Sequence, residues 1–285
     1  MKKPCSEKNN NTQPMGGNTM FKGQFLKLMS FAVVAASMLL GSVALSSADD
    51  MAAEPKTLFG DFLKEKGIEI ESGATLDFYD KYVWRGGYLD KDPVVQPGIS
   101  FSSYGLTVGY WGSLPMGTAA DTLNSTESDY YLSYSYTFKP VTLTAGHTWY
   151  AFPGSNTESK EFYFTVAADT FLSPSVSFFH DYDEGKKSYG NGNYWAFSIA
   201  HNLPLLDEPN ISLDLAATFG YIDEQWLAGQ GSHFTPTIGI NIPLTANLTI
   251  VPTLGYNVPM GDLSDSSIGN QRSKVFGGIK SSFSF

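Results

Sequence analysis

Thiols, basic residues and long apolar runs are all scarce in this sequence, and each shortage closes off a class of protein. There is one cysteine, Cys5. It precedes a segment with the marks of a secretory leader, so the mature chain has no thiol for a disulfide framework, a zinc cluster or a cysteine nucleophile. The whole chain carries 18 Lys and Arg against 28 Asp and Glu. Removing residues 1–48 leaves 13 basic and 27 acidic side chains, a balance that argues against nucleic acid as a partner. Charged residues make up only 16% of the chain, against roughly 25% in an ordinary soluble domain. Beyond Ala48 no apolar run reaches the length of a membrane-spanning helix. If such a chain crosses a bilayer, only a closed barrel can satisfy its backbone there.

Residues 1–48 read as a signal-peptide region. Lys22 and Lys27 supply the positive start, residues 31–45 the apolar run, and Ser46-Ser47-Ala48 the small residues before a cut. Residues 1–19 are polar and Met20-Phe21-Lys22 opens a conventional leader, which makes Met20 the expected start and an unusually long leader the alternative. Residues 49–72 form an expected periplasmic segment with a short helix. Leu58, Phe59, Phe62 and Leu63 share one face of it and Gly67 can stop it. It would pack against the barrel floor or plug it.

What the sequence has in plenty is aromatic rings, at 14%, and 28 glycines, with a mean hydropathy of −0.14. From about residue 73 they fall into alternating segments of roughly ten residues, the length of a tilted membrane strand. The segments are 74–84, 94–103, 106–113, 128–138, 141–151, 161–170, 174–183, 193–202, 210–221, 233–242, 247–257 and 274–285. Tyr130, Leu132, Tyr134, Tyr136 and Phe138, for example, oppose Tyr131, Ser133, Ser135 and Thr137. One face is greasy and the other small and polar. Short connections alternate with long ones rich in Gly, Ser, Asn and Asp, as periplasmic turns and external loops do. The pattern predicts an all-β fold over 73–285: a transmembrane antiparallel up-and-down β-barrel of about twelve strands, with ten or fourteen as alternatives. Phe283 and Phe285 belong to the closing strand. Trp84, Trp111, Trp149 and Trp195 fall near the long loops, where they predict an outer aromatic girdle at the headgroup layer.

Residues 76–89, Leu-Asp-Phe-Tyr-Asp-Lys-Tyr-Val-Trp-Arg-Gly-Gly-Tyr-Leu, carry a resemblance. The run is similar to a family of uncharacterised outer-membrane proteins of Gram-negative bacteria. These bear Tyr-Val-(Trp/Phe)-Arg-Gly at the end of the first strand, here residues 82–86, and often Trp-Gly after the third, here Trp111-Gly112. The resemblance implies the barrel more than any activity. Residues 49–70 also resemble the start of carbohydrate-selective porins, although Phe62-Leu63-Lys64 stands where Trp-Gly-Gly is usual there.

If Leu76, Phe78, Tyr82 and Trp84 face lipid, then Asp77, Lys81 and Arg85 face inward, with Asp214 joining them from a later strand. Such charges line a wet bore and select solutes, or form an ionic cluster that fills it. Asp80 is then left pointing outward in mid-strand, at a cost in lipid. A lipid hydrolase needs a serine activated by a base, and none of His147, His180, His201 and His233 has the local pattern; rim positions are expected for them. The acidic runs at 181–184 and 262–265 lack calcium-loop spacing and read as solvated charge. No enzymatic role, metal or cofactor is implied. The expected function is passive diffusion of small hydrophilic solutes, neutral or cationic, across the outer membrane of a Gram-negative bacterium. Sugar-acid channels would need basic walls. The alternative is a non-transporting structural or adhesion barrel acting through its external loops. Outer-membrane lipids, lipopolysaccharide and the barrel-assembly machinery are the partners this implies.

Overall fold

The computed structural model describes residues 65–116, 126–153, 157–182 and 191–285. The leader, Cys5, the predicted helix before Gly67 and the tips of three long loops lie outside the described residues. The chain divides into two compact units, Met1–Ile68 and Glu69–Phe285. Among the described residues no helix is long and apolar enough to cross a membrane.

The second unit is a closed antiparallel barrel of twelve strands. Its first wall strand, β1 (Glu71–Tyr79), is followed by a small hairpin of β2 (Tyr82–Trp84) and β3 (Gly87–Asp90). The remaining wall strands are β4 (Val94–Ser103), β5 (Leu106–Pro115), β6 (Glu127–Phe138), β7 (Val141–Phe152), β8 (Thr157–Ala168), β9 (Ser175–Asp181), β10 (Asn193–Leu206), β11 (Ile211–Asp223), β12 (Gln230–Pro243), β13 (Leu248–Gly261) and β14 (Lys274–Ser284). From β4 onward each pairs with the next in sequence, and β1 closes the ring between β14 and β4. Closure leaves no edge of the wall unpaired. The seam is tied at its lower end, where Phe285 N–H donates to Ser72 O over 3.0 Å and Asn247 Nδ2 to Ser284 O over 2.7 Å.

The period-two pattern sorts the side chains as expected for a strand. Tyr130, Leu132, Tyr134, Tyr136 and Phe138 all point outward and are exposed, as are Phe162, Phe164, Val166, Phe197, Ile199 and Leu254 on other strands. The inner face divides into two halves. Towards the short turns, directly opposed hydroxyls bond across neighbouring strands: Ser135 with Thr144 at 2.8 Å, Thr165 with Ser177 at 2.8 Å, and Ser198 with Thr218 at 2.9 Å. Towards the long loops the bore is packed. Val94, Tyr150, Glu161, Tyr194, Ile222, His233 and Asn257 are all buried there, each within a few residues of a long connection.

The predicted first strand is the main departure. It was expected to run through 84, but the wall strand stops at Tyr79 and the chain leaves the wall at Asp80. There Asp80 N–H donates to Gly277 O and Gly277 N–H returns a bond to Asp80 Oδ1, both at 2.9 Å. The carboxylate that was awkward in mid-strand therefore caps the strand end. Tyr79 remains opposite Val94 of β4, so the hairpin is an excursion from an otherwise continuous wall.

Candidate functional site

The turn between β2 and β3 consists of two residues, Arg85 and Gly86, with Trp84 opposite Gly87. Both have positive φ, 45° and 78°. Paired positive φ is what a tight hairpin requires to match strand twist, and it is uncomfortable for an arginine. Gly86 has a second reason to lack a side chain: a Cβ there would stand 2.7 Å from both His233 and Leu263. A Cβ at Gly87 would stand 2.5 Å from the Trp226 ring.

This turn carries Arg85 across the bore. In the ring of twelve, β9 lies six steps from β1, and Arg85 reaches β8, β9 and β10. Its Nη1 and Nη2 donate to the two oxygens of Glu161 over 2.5 and 3.0 Å, a bidentate pair with both side chains buried. The guanidinium also lies 4.3 Å from the Phe179 ring centre, 4.4 Å from Trp84 and 4.5 Å from Tyr194. Glu161 in turn accepts from Tyr150 Oη at 2.6 Å and from Gln225 Nε2. Breaking a buried pair by removing one partner typically costs about 3–5 kcal/mol, because the other charge is left stranded. Further bonds hold the tip: Asn257 Nδ2 donates to Gly86 O over 2.7 Å, and Trp84 packs on Tyr150 and Trp226. Around it Tyr194, Ile222, Leu227 and Leu263 form a small apolar core. The hairpin is thus docked on the wall opposite its own root.

The residues singled out from sequence separate accordingly. Asp77 faces the bore and accepts Ser281 N–H at 3.0 Å. Lys81 pairs with its neighbour Asp80, and Arg85 with Glu161. The three do not share a strand face, because the strand ends before two of them. Asp214 lies elsewhere, towards the short turns, accepting from Asn202 Nδ2 at 2.6 Å. Trp149 and Trp195 are exposed on the outer face at the long-loop end. Trp84 and Trp111 are not: Trp84 sits in the hairpin, and Trp111, opposite Asp129, packs against Tyr82 at 5.5 Å. Phe283 and Phe285 are both exposed where β14 closes the ring.

Sequence reasoning missed Glu161, Tyr150 and Asn257 altogether. Glu161 alternates with Phe162 in a strand whose outward residues are clear, so its inward placement was available; its partner was not. His233, expected at the rim, is buried and bonds Tyr194 Oη at 3.0 Å and Thr235 Oγ1 at 2.9 Å. Asp181, expected in solvent, is buried and accepts Ser159 Oγ at 2.6 Å. His147 bonds Tyr182 and His180 bonds Asn193; none of these partners is a serine. Among the described residues no cluster has the composition to hold a metal ion.

Below the hairpin, between β14, β1, β4, β5, β6 and β7, lies a luminal cavity of about 530 Å³. A second hollow, of about 580 Å³, is on the outer face among Ile199, Leu215, Ile238 and Leu254 and offers almost no polar group.

The family model described as bacterial protein of unknown function (Gcw_chp) matches residues 69–268. The chain belongs to this family. The match begins at the start of the barrel unit and takes in every wall strand but β14. No curated protein matches the chain. Among solved structures, a NanC porin and a KdgM porin are each 11% identical with TM-scores of 0.48, covering 75% of this chain and 99% of theirs. An outer membrane channel from Pseudomonas putida F1 is 13% identical with a TM-score of 0.45, covering 85% of this chain and all of its own.

Proposed function

We propose that this family member is an outer-membrane channel of a Gram-negative bacterium, through which small hydrophilic solutes diffuse past a constriction made by the hairpin 82–90. The outer belt of exposed rings and aliphatics is far larger than a soluble surface carries, and hydrocarbon is the solvent that suits it. Its longest strands, at 14 residues, exceed the roughly 9–11 needed to cross a bilayer at a tilt. Trp149 and Trp195 then sit at the outer headgroup layer among lipid and lipopolysaccharide, and the barrel-assembly machinery is the route of insertion.

One observation carries the reading: a docked hairpin closes the long-loop half of a bore whose other half is lined with paired hydroxyls. A purely structural barrel has no use for a wettable half-bore. Glu127, Asp129, Glu161 and Asp181 crowd the constriction around Arg85, and that acidic excess favours neutral or cationic solutes over anions. No step of this reading is enzymatic.

The test is swelling of proteoliposomes in arabinose, lysine hydrochloride and sodium gluconate, with the intact protein and with residues 82–90 replaced by two glycines. Tyr79 and Val94 already face each other, so a short link preserves the wall. Uptake of arabinose and lysine ahead of gluconate, faster in the shortened protein, is expected. No uptake by either protein would leave the alternative, a barrel that does not transport.

A further inference from the structure

Two buried polar groups that nothing among the described residues satisfies belong to side chains lining the luminal cavity beneath the hairpin. Gln96 is 5% exposed and Asp129 8%, yet Gln96 Nε2 and Asp129 Oδ1 have no hydrogen-bond partner among the described residues. Both line the cavity. An unmet buried polar group costs about 1–3 kcal/mol, so two of them, on side chains that line one cavity, call for an occupant that supplies the missing bonds. Gln96 Nε2 offers a donor and Asp129 Oδ1 an acceptor. A hydroxyl group answers either one, and a ring compound bearing several hydroxyls supplies one for each.

The register places an aromatic between them. Trp111 stands opposite Gly98 on one side and Asp129 on the other, and Gln96 is the next inward residue to Gly98. Tyr82, from the hairpin, packs on Trp111 at 5.5 Å and so roofs the same space. The lining charges balance: Asp77 and Asp129 against Lys81 and Lys280. A cavity of about 530 Å³ falls within the roughly 300–1,000 Å³ of small-molecule sites, which combine apolar and aromatic walls with a few polar groups that fix orientation.

We infer that this cavity is a binding site for an uncharged polyhydroxylated ring compound of the monosaccharide or disaccharide class, oriented by Gln96 and Asp129 and stacked on Trp111. Binding requires the barrel and its docked hairpin but not passage of solute, so it stands or falls separately from transport. Stacking on a ring face suits the C–H face of a sugar, and the charge balance disfavours sugar acids and amino sugars alike.

The experiment uses the full mature protein refolded in detergent, titrated with glucose and maltose by calorimetry and by tryptophan fluorescence, since Trp111 and Trp84 line the site. Gluconate and glucosamine serve as charged counterparts. Saturable binding of at least one neutral sugar at millimolar concentration is expected, with affinity falling at least about tenfold in Gln96→Leu and in Asp129→Leu, one hydrogen bond lost in each. Each variant is first checked for heat-modifiable migration. Should Asp129→Leu fail to fold, Gln96→Leu alone decides. No saturable binding of either neutral sugar, undiminished binding in the folded variants, or tighter binding of gluconate or glucosamine would overturn the assignment. Failure of proteoliposome uptake with sugar binding intact would overturn the channel and leave the site.

Discussion

The two halves of the bore are built on different chemistry from the same strands. At the short-turn end the inner face is a ladder of Ser and Thr pairs whose hydroxyls satisfy one another across the strands. At the long-loop end it is a buried ionic and aromatic assembly organised by Arg85 and Glu161. The first arrangement is local and repetitive: each pair contributes little and none depends on the rest. The second joins β8, β9, β10 and β13 to a hairpin rooted between β1 and β4, so one residue holds several strands to one insertion. A wettable half tolerates loss; a docked half does not.

The largest predicted effect follows from that contrast. Glu161→Ala strands the Arg85 guanidinium and should weaken hairpin docking by about 3–5 kcal/mol. Limited trypsin digestion checks it: the intact protein resists cleavage after Arg85, and the variant is cut there. Resistance in both would mean that the pair does not hold the hairpin. Gly86→Ala comes next. The positive φ and the 2.7 Å approach to His233 and Leu263 set a cost of about 1–3 kcal/mol, read as a lower unfolding midpoint in detergent and partial release of the same cleavage site. In the other half, replacing both Ser135 and Thr144 by Ala and Val should shift stability by about 1 kcal/mol or less, since removing both partners strands neither. A larger loss would show that the hydroxyl ladder is as interdependent as the hairpin assembly.

The smallest effect concerns Asp265, in the long connection after β13. Its carboxylate accepts Ser267 Oγ at 2.5 Å and Ser267 N–H at 2.7 Å, and these bonds hold its pKa below the ordinary value. A depressed folded-state pKa gives a contribution that is complete above the ordinary carboxylate pKa and disappears as pH falls through the lowered value. Amide exchange at Ser267 should therefore lose protection only under strongly acid conditions, while Tyr82 in the hairpin keeps its own.

Most of the wall could be read in the sequence because alternation is a local signal. β4 spans the predicted 94–103 and β7 comes within one residue of the predicted 141–151. Tyr130 to Phe138 reported their own orientation. The hairpin could not be read that way, because Tyr82-Val83-Trp84 continues the alternation of β1 and nothing in a period of two says that the chain has left the wall. The one local hint was Arg85-Gly86-Gly87, whose glycines permit a tight turn. Trp111 was misplaced for a different reason. Tyr110 beside it belongs to the outward set with Tyr130 and Trp149, and adjacent strand residues cannot share a face; closeness to a long loop says nothing of which face a residue takes. The same parity test places His233, next to outward-facing Phe234, inside. The pairing of Arg85 with Glu161 spans 76 residues and half the ring, and no local pattern carries it.

The hairpin, and not the wall, closes the long-loop half of the bore. Single-channel recording in planar bilayers tests it most directly, comparing the intact protein with one in which residues 82–90 are replaced by two glycines. Small or rare conductance steps are expected in the intact protein and steps several-fold larger in the shortened one. Equal conductance in the two, or silence in both, would contradict it.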